Sequence, residues 1–189
     1  MKHLIWLILI TSMCLNACQH TVQEEITVQE TPTVEEAYAV VIGEYYTAFA
    51  EQLDSAELMD ADLNYLAAEC YGDNPLENLG YAMTDLDGDG TEELLLGMRG
   101  ESEYYEKLIL DLYTLDEAGV HKLVFDSSER NRYYYAGENR FANLGAGAFN
   151  ENFETTVKLE EGEMIDMTYT TDPADYVQMD LTPFAEWVK

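Results

Sequence analysis

Positive charge is what this chain has least of. Nine Lys and Arg stand against 38 Asp and Glu over 189 residues, a formal net charge of −29. No basic footprint is available to offset the phosphates of DNA or RNA, so nucleic acid is excluded as a partner. The same imbalance excludes docking of the protein surface on anionic lipid headgroups. Histidine is scarce too: His3 and His20 lie near the N-terminus, and only His121 falls in the body of the chain. That count excludes a histidine-rich zinc centre. A Ser-His-Asp hydrolase would have to run through His121, and no Gly-x-Ser-x-Gly elbow accompanies it. Cysteine is limited to Cys14, Cys18 and Cys70. With the first two at the N-terminus, Cys70 is left without an internal disulfide partner, and stability must come from a core or a metal. In "YLAAECYG" Cys70 reads as a helix end, where a buried inert thiol is commoner than a nucleophile. The "GAG" at 145–147 lacks the Lys and Ser/Thr of a phosphate loop and reads as a bulge or close strand packing. A long apolar run is missing as well, since Leu4 to Leu15 is too short for an ordinary spanning helix.

What that run does offer is the layout of a secretory signal, with Lys2 ahead of it and a small residue before Cys18. Its end, Leu15-Asn16-Ala17-Cys18, resembles the lipobox of bacterial lipoproteins. The resemblance implies cleavage before Cys18, a diacylglyceryl group on its sulfur, and a mature protein tethered outside the cytoplasm to the bacterial cell membrane. Two acyl chains anchor stably where one is marginal. Residues 1–17 are then a signal peptide and 18–32 a lipidated Cys with a flexible tether, "QHTVQEEITVQETP", in which "TVQE" occurs twice. An uncleaved N-terminal anchor is the other reading of the same run; both export the body.

Residues 33–189 read as a single α+β domain. Val34, Tyr38, Val41, Tyr45, Phe49 and Leu53 fall at helical spacing, with Thr33 as N-cap and Glu35 and Glu36 at the positive end of the dipole. A second helix is expected from about Ser55 to Cys70, stopped by "YGDNP". Beyond Leu79 come short runs rich in β-branched and aromatic residues: "YAMT", "ELLLGM", "KLILDLYTL", "HKLVF", "RYYYA", "RFANLG", "FETTVKL" and "MIDMTYT". Asp-, Asn- and Gly-bearing turns separate them, which favours an antiparallel β-meander with the N-terminal helices packed on it. A C-terminal helical turn is expected near Thr182, with Pro183 at its first position and Phe184 and Trp187 inward.

One loop in this pattern carries chemistry. "TDLDGDGTEELLLG" sets Asp85, Asp87 and Asp89 two apart, adds two glycines, and follows with Glu93. Calcium is a hard cation that takes six to eight oxygen ligands, and an irregular loop can wrap it. "DGDG" alone is also a good metal-free turn, but such a turn gains nothing from four clustered carboxylates. The EF-hand pattern is matched at its first, third, fifth and sixth positions and fails at the twelfth, where Leu96 stands. The run resembles instead the strand–loop–strand calcium hairpins of FG-GAP and VCBS repeats. That resemblance implies Asp85, Asp87, Asp89 and Glu93 as side-chain ligands and Thr91 through its carbonyl. The order of lipobox, tether, helices, one such loop and a meander also resembles a loose group of Gram-positive lipoproteins.

A second patch is Arg130, Arg132, Tyr133, Tyr134, Tyr135 and Arg140, where aromatic faces and arginines suit a glycan or protein ligand. The plain alternative is a strand whose arginines neutralise acidic neighbours. The expectation is therefore a lipid-anchored, extracytoplasmic binding module with a structural calcium ion and no catalytic residues. The rival is an exported hydrolase acting on cell-wall glycan through a carboxylate pair.

Overall fold

The computed structural model describes residues 33–102, 104–123, 127–146, 152–170 and 175–187; the expected signal peptide, Cys18 and the tether lie outside them. Thr33 opens the first helix, α1 (Val34–Glu51), with a complete capping box. The Glu36 N–H donates to Thr33 Oγ1 at 3.2 Å, and the Thr33 N–H donates to the Glu36 carboxylate at 2.9 Å. Two donors that a helix start would otherwise leave unpaired are thus satisfied. Tyr38, Ile42, Tyr45, Ala48 and Phe49 form the buried stripe, with Val34, Val41 and Leu53 packed at its margins.

The helix expected over 55–70 is broken in two. Asp54 caps α2 (Ser55–Asp60), Asp62 turns into the left-handed region at φ 59°, and Tyr65–Cys70 resume as a 3₁₀ helix. Asn64 causes the break. Its Oδ1 accepts from the Leu66 N–H at 3.0 Å while its Nδ2 donates to the Leu110 carbonyl at 2.8 Å. An amide that caps one segment and docks it on a strand cannot also lie within a continuous helix. Pro75, expected only as a stop, starts a short helix of its own, α3 (Pro75–Asn78), where its missing N–H costs nothing.

From Leu79 the chain runs through the antiparallel strands β1 (Leu79–Thr84), β2 (Glu93–Met98), β3 (Leu108–Asp116), β4 (Gly119–Lys122), β5 (Asn131–Gly137), β6 (Arg140–Ala146), β7 (Asn152–Glu160), β8 (Glu163–Thr170) and β9 (Thr182–Pro183). Their order in the sheet is β8-β7-β6-β5-β3-β2-β1-β9. This is the expected meander, closed by a C-terminal return. One edge of β3 is used twice, by β5 at Leu108 and Ile109 and by β4 from Tyr113 to Asp116. The C-terminal segment begins as strand β9, with Pro183 as cap of a 3₁₀ turn over Phe184–Glu186. Phe184 is fully buried, and Trp187 lies over Gly43, where a Cβ would come within 3.0 Å of the indole.

Strand alternation, shifted in phase at Leu110 where the β2–β3 register slips between Leu96 and Gly97, sends side chains to two cores. Leu94, Leu96, Leu108 and Leu110 meet the helices, whereas Leu95, Ile109 and Leu112 join Phe141, Leu159 and Leu181 on the other face. Leu159 of β7 belongs to the same cluster as Leu95 of β2, although β6, β5 and β3 lie between them. The sheet curls on its helix-free side far enough for the Gly162 N–H of the β7–β8 turn to reach Asp87 of the β1–β2 loop at 3.0 Å.

Candidate metal centre

Thr84 and Glu93 are partners in the β1–β2 ladder, so residues 85–92 form the connecting loop. Gly88 and Gly90 take φ of 82° and 96° with open space around them. Glycine is needed there for the backbone conformation, not for packing. The backbone folds around its own carboxylates. Asp85 accepts from the Gly88 N–H at 2.7 Å and from the Gly90 N–H at 3.1 Å. Asp87 accepts from the Asp89 N–H at 3.1 Å, and Asp89 from the Thr91 N–H at 2.7 Å. One carboxylate oxygen from each of Asp85, Asp87 and Asp89 lies within 4.8 Å of the others, a group that can hold a metal ion.

Glu93, the fourth expected side-chain ligand, is not part of this group of three and is 0 % exposed. Its Oε2 accepts from the Leu86 N–H at 2.9 Å, which closes the loop, and its Oε1 accepts from the Thr114 hydroxyl at 3.5 Å. Burial pushes its carboxyl up to about 7; the Leu86 N–H opposes that rise, and Asp87, Asp89 and Asp85 add to it. Among the described residues, none of these four carboxylates has a Lys, Arg or His partner within 4.0 Å. Clustered like charges with no protein counter-charge repel one another, and a cation among them offsets that repulsion. The donors are all hard oxygens, which fits an alkaline-earth ion and not a soft metal.

Neighbouring elements pin the loop. Tyr38 of α1 donates its hydroxyl to the Glu92 carbonyl at 2.8 Å, and the Gly162 N–H of the β7–β8 turn donates to Asp87 Oδ2 at 3.0 Å. Between these turns and the β3–β4 turn lies a cleft of about 480 Å³ that includes Asp89, Asp116, Glu161 and Glu163. His121 opens onto it, paired with Asp116 at 2.6 Å.

The arginine–tyrosine segment does not form one surface. Tyr134 is buried against the helical core and stacked on Tyr176 at 4.3 Å, while Tyr133 and Tyr135 pack into the other core. Arg132 reaches the Tyr104 carbonyl at 3.4 Å, Arg140 pairs with Glu138 at 3.3 Å, and Arg130 is exposed.

A buried polar centre escapes sequence reasoning. Asp111, 0 % exposed, accepts a hydrogen bond from the Tyr45 hydroxyl and pairs with Lys122 at 3.1 Å. Burial raises its carboxyl to about 6, against the lowering influence of Lys122, Tyr45 and Asn64. The one signal in the sequence is an aspartate interrupting the apolar run "LILDLY".

A scan of family models and searches of curated proteins and solved structures give no match to this chain.

Proposed function

We propose that the protein is an extracytoplasmic lipoprotein, held at the bacterial membrane through an acylated Cys18, whose α+β domain carries calcium in the β1–β2 loop and acts as a binding module. The carrying observation is the convergence of Asp85, Asp87 and Asp89 within 4.8 Å, in a loop whose Leu86 N–H is held by the buried Glu93, with no described cation to neutralise them. Asp85, Asp87 and Asp89 would hold the ion, with Glu93 and the Thr91 carbonyl completing the set. Calcium suits an irregular loop better than magnesium, which demands a near-ideal octahedron and keeps its waters.

When bound, the ion supplies charge neutralisation. A module with a dissociation constant of about 0.1–1 mM, at roughly millimolar calcium, gains about 0.4–1.4 kcal/mol. That orders a hairpin without holding the fold together. Calorimetric titration of residues 33–189 tests the reading. One calcium site is expected, with weaker binding of magnesium and none in Asp89→Ala. Heats indistinguishable between wild type and variant would overturn it.

A further inference from the structure

We infer that occupancy of the β1–β2 loop by its cation fixes the tip of the β7–β8 hairpin, so that ion binding and closure of the curled sheet are one linked equilibrium. This coupling rests on the calcium reading above, and it is carried by a contact outside the acidic group. The two oxygens of Asp87 have different partners: Oδ1 accepts from Asp89 within the loop, and Oδ2 accepts from Gly162, 75 residues away in sequence. A second path leads to the same glycine. Glu93, at the base of the loop, accepts from Thr114, and a Cβ at position 162 would lie 3.2 Å from that Thr114 hydroxyl.

The tip is a tight two-residue turn between Glu160 and Glu163, with Glu161 at φ 52° and Gly162 at φ 70°. That geometry aims the Gly162 N–H at Asp87 and would crowd a side chain at 162 against Thr114. Charge works against the contact. The tip carries Glu161 and Glu163, with Glu160 paired to Lys158, and across the cleft stand Asp89 and Glu117, with Asp116 paired to His121. In a cation-free loop Asp87 is also repelled by Asp85 and Asp89, so the acceptor of the Gly162 bond is poorly held. A cation fixes Asp87, removes part of the repulsion, and thereby holds the hairpin. Linkage requires the reverse as well: a tip that cannot dock weakens cation binding by the same factor.

Amide hydrogen exchange on the full chain in detergent micelles, with calcium chloride or with a chelator, tests the coupling. Calcium should slow exchange at Gly162 about tenfold, together with the loop amides of Gly88 and Gly90. Asp89→Asn, which leaves the Asp87–Gly162 bond in place, should remove the calcium response at both turns. Gly162→Ala, strained at positive φ and crowded by Thr114, should weaken calcium binding at least fivefold, within the usual range of coupling factors. Should that variant fail to fold, Thr114→Val carries the same direction of change. A response at Gly88 and Gly90 with none at Gly162 overturns the coupling and leaves the calcium site standing. No response at either turn overturns both.

Discussion

Glu93 is drawn inward by its own strand. Leu94, Leu95 and Leu96 follow it, each 0 % exposed, so the chain that buries them buries the carboxylate too. Its carboxyl, pushed up to about 7 chiefly by burial, makes cation-free stability depend on pH with a definite sign. The folded state holds the proton to higher pH than the unfolded chain does. The contribution is therefore complete below the ordinary value of 4.5 and is lost as pH rises through about 7. In chelator, urea unfolding should show stability falling by roughly 2 kcal/mol between pH 5 and 7.5, and saturating calcium should cancel the fall. Glu93→Gln should flatten that slope, stabilise the cation-free protein at pH 7.5 and weaken calcium binding. A slope unchanged in the variant would assign it to other carboxylates. The spacing of the aspartates was legible in the sequence, because alternate residues in a glycine loop can converge on one point. The burial of Glu93 outside their group was not, since it depends on the Thr84–Glu93 register and on Thr114, a residue from another strand.

Elements were legible wherever one local signal decided them. Thr33 and Glu36 form a capping box readable from four residues, and each expected strand run overlaps a strand of the sheet, although of "HKLVF" only His121 and Lys122 lie in β4, while Val124 and Phe125 lie outside the described residues. The 55–70 helix misled because its apolar spacing persists through the break, while the cause lies in a distant strand. Asn64 exchanges helical continuity for the Leu110 carbonyl, the Leu66 N–H and, through its own N–H, the Tyr45 hydroxyl at 3.1 Å. That hydroxyl in turn serves Asp111, so helix α1, the 3₁₀ segment and β3 share one buried node. Asn64→Ala removes a cap and strands a buried carbonyl, for a loss of about 2–3 kcal/mol by denaturant unfolding. A loss under about 0.5 kcal/mol, the range of ordinary surface changes, would mean that the node contributes little.

At the scale of the molecule, the net charge of −29 bears on what the surface can attach to and not on the fold. The α+β class follows from the order of periodicities, helix first and strands after. The curl does not, because it depends on long-range pairing within the helix-free core and on one hydrogen bond between turns. Location poses the sharper physical question. No described helix is long and apolar enough to cross a membrane; an acidic surface is repelled by anionic headgroups, and the proposed attachment is through acyl chains at Cys18. Each buried CH₂ contributes about 0.8 kcal/mol, and a diacyl group holds through high salt, whereas electrostatic association is screened there. Wild-type protein should therefore sediment with membranes and take up radiolabelled fatty acid at both low and about 0.5 M salt, roughly where screening shortens to a few ångströms. Cys18→Ala should do neither. Continued sedimentation of the unlabelled variant would instead make the apolar run from Leu4 to Leu15 the anchor, an uncleaved segment in place of a lipid.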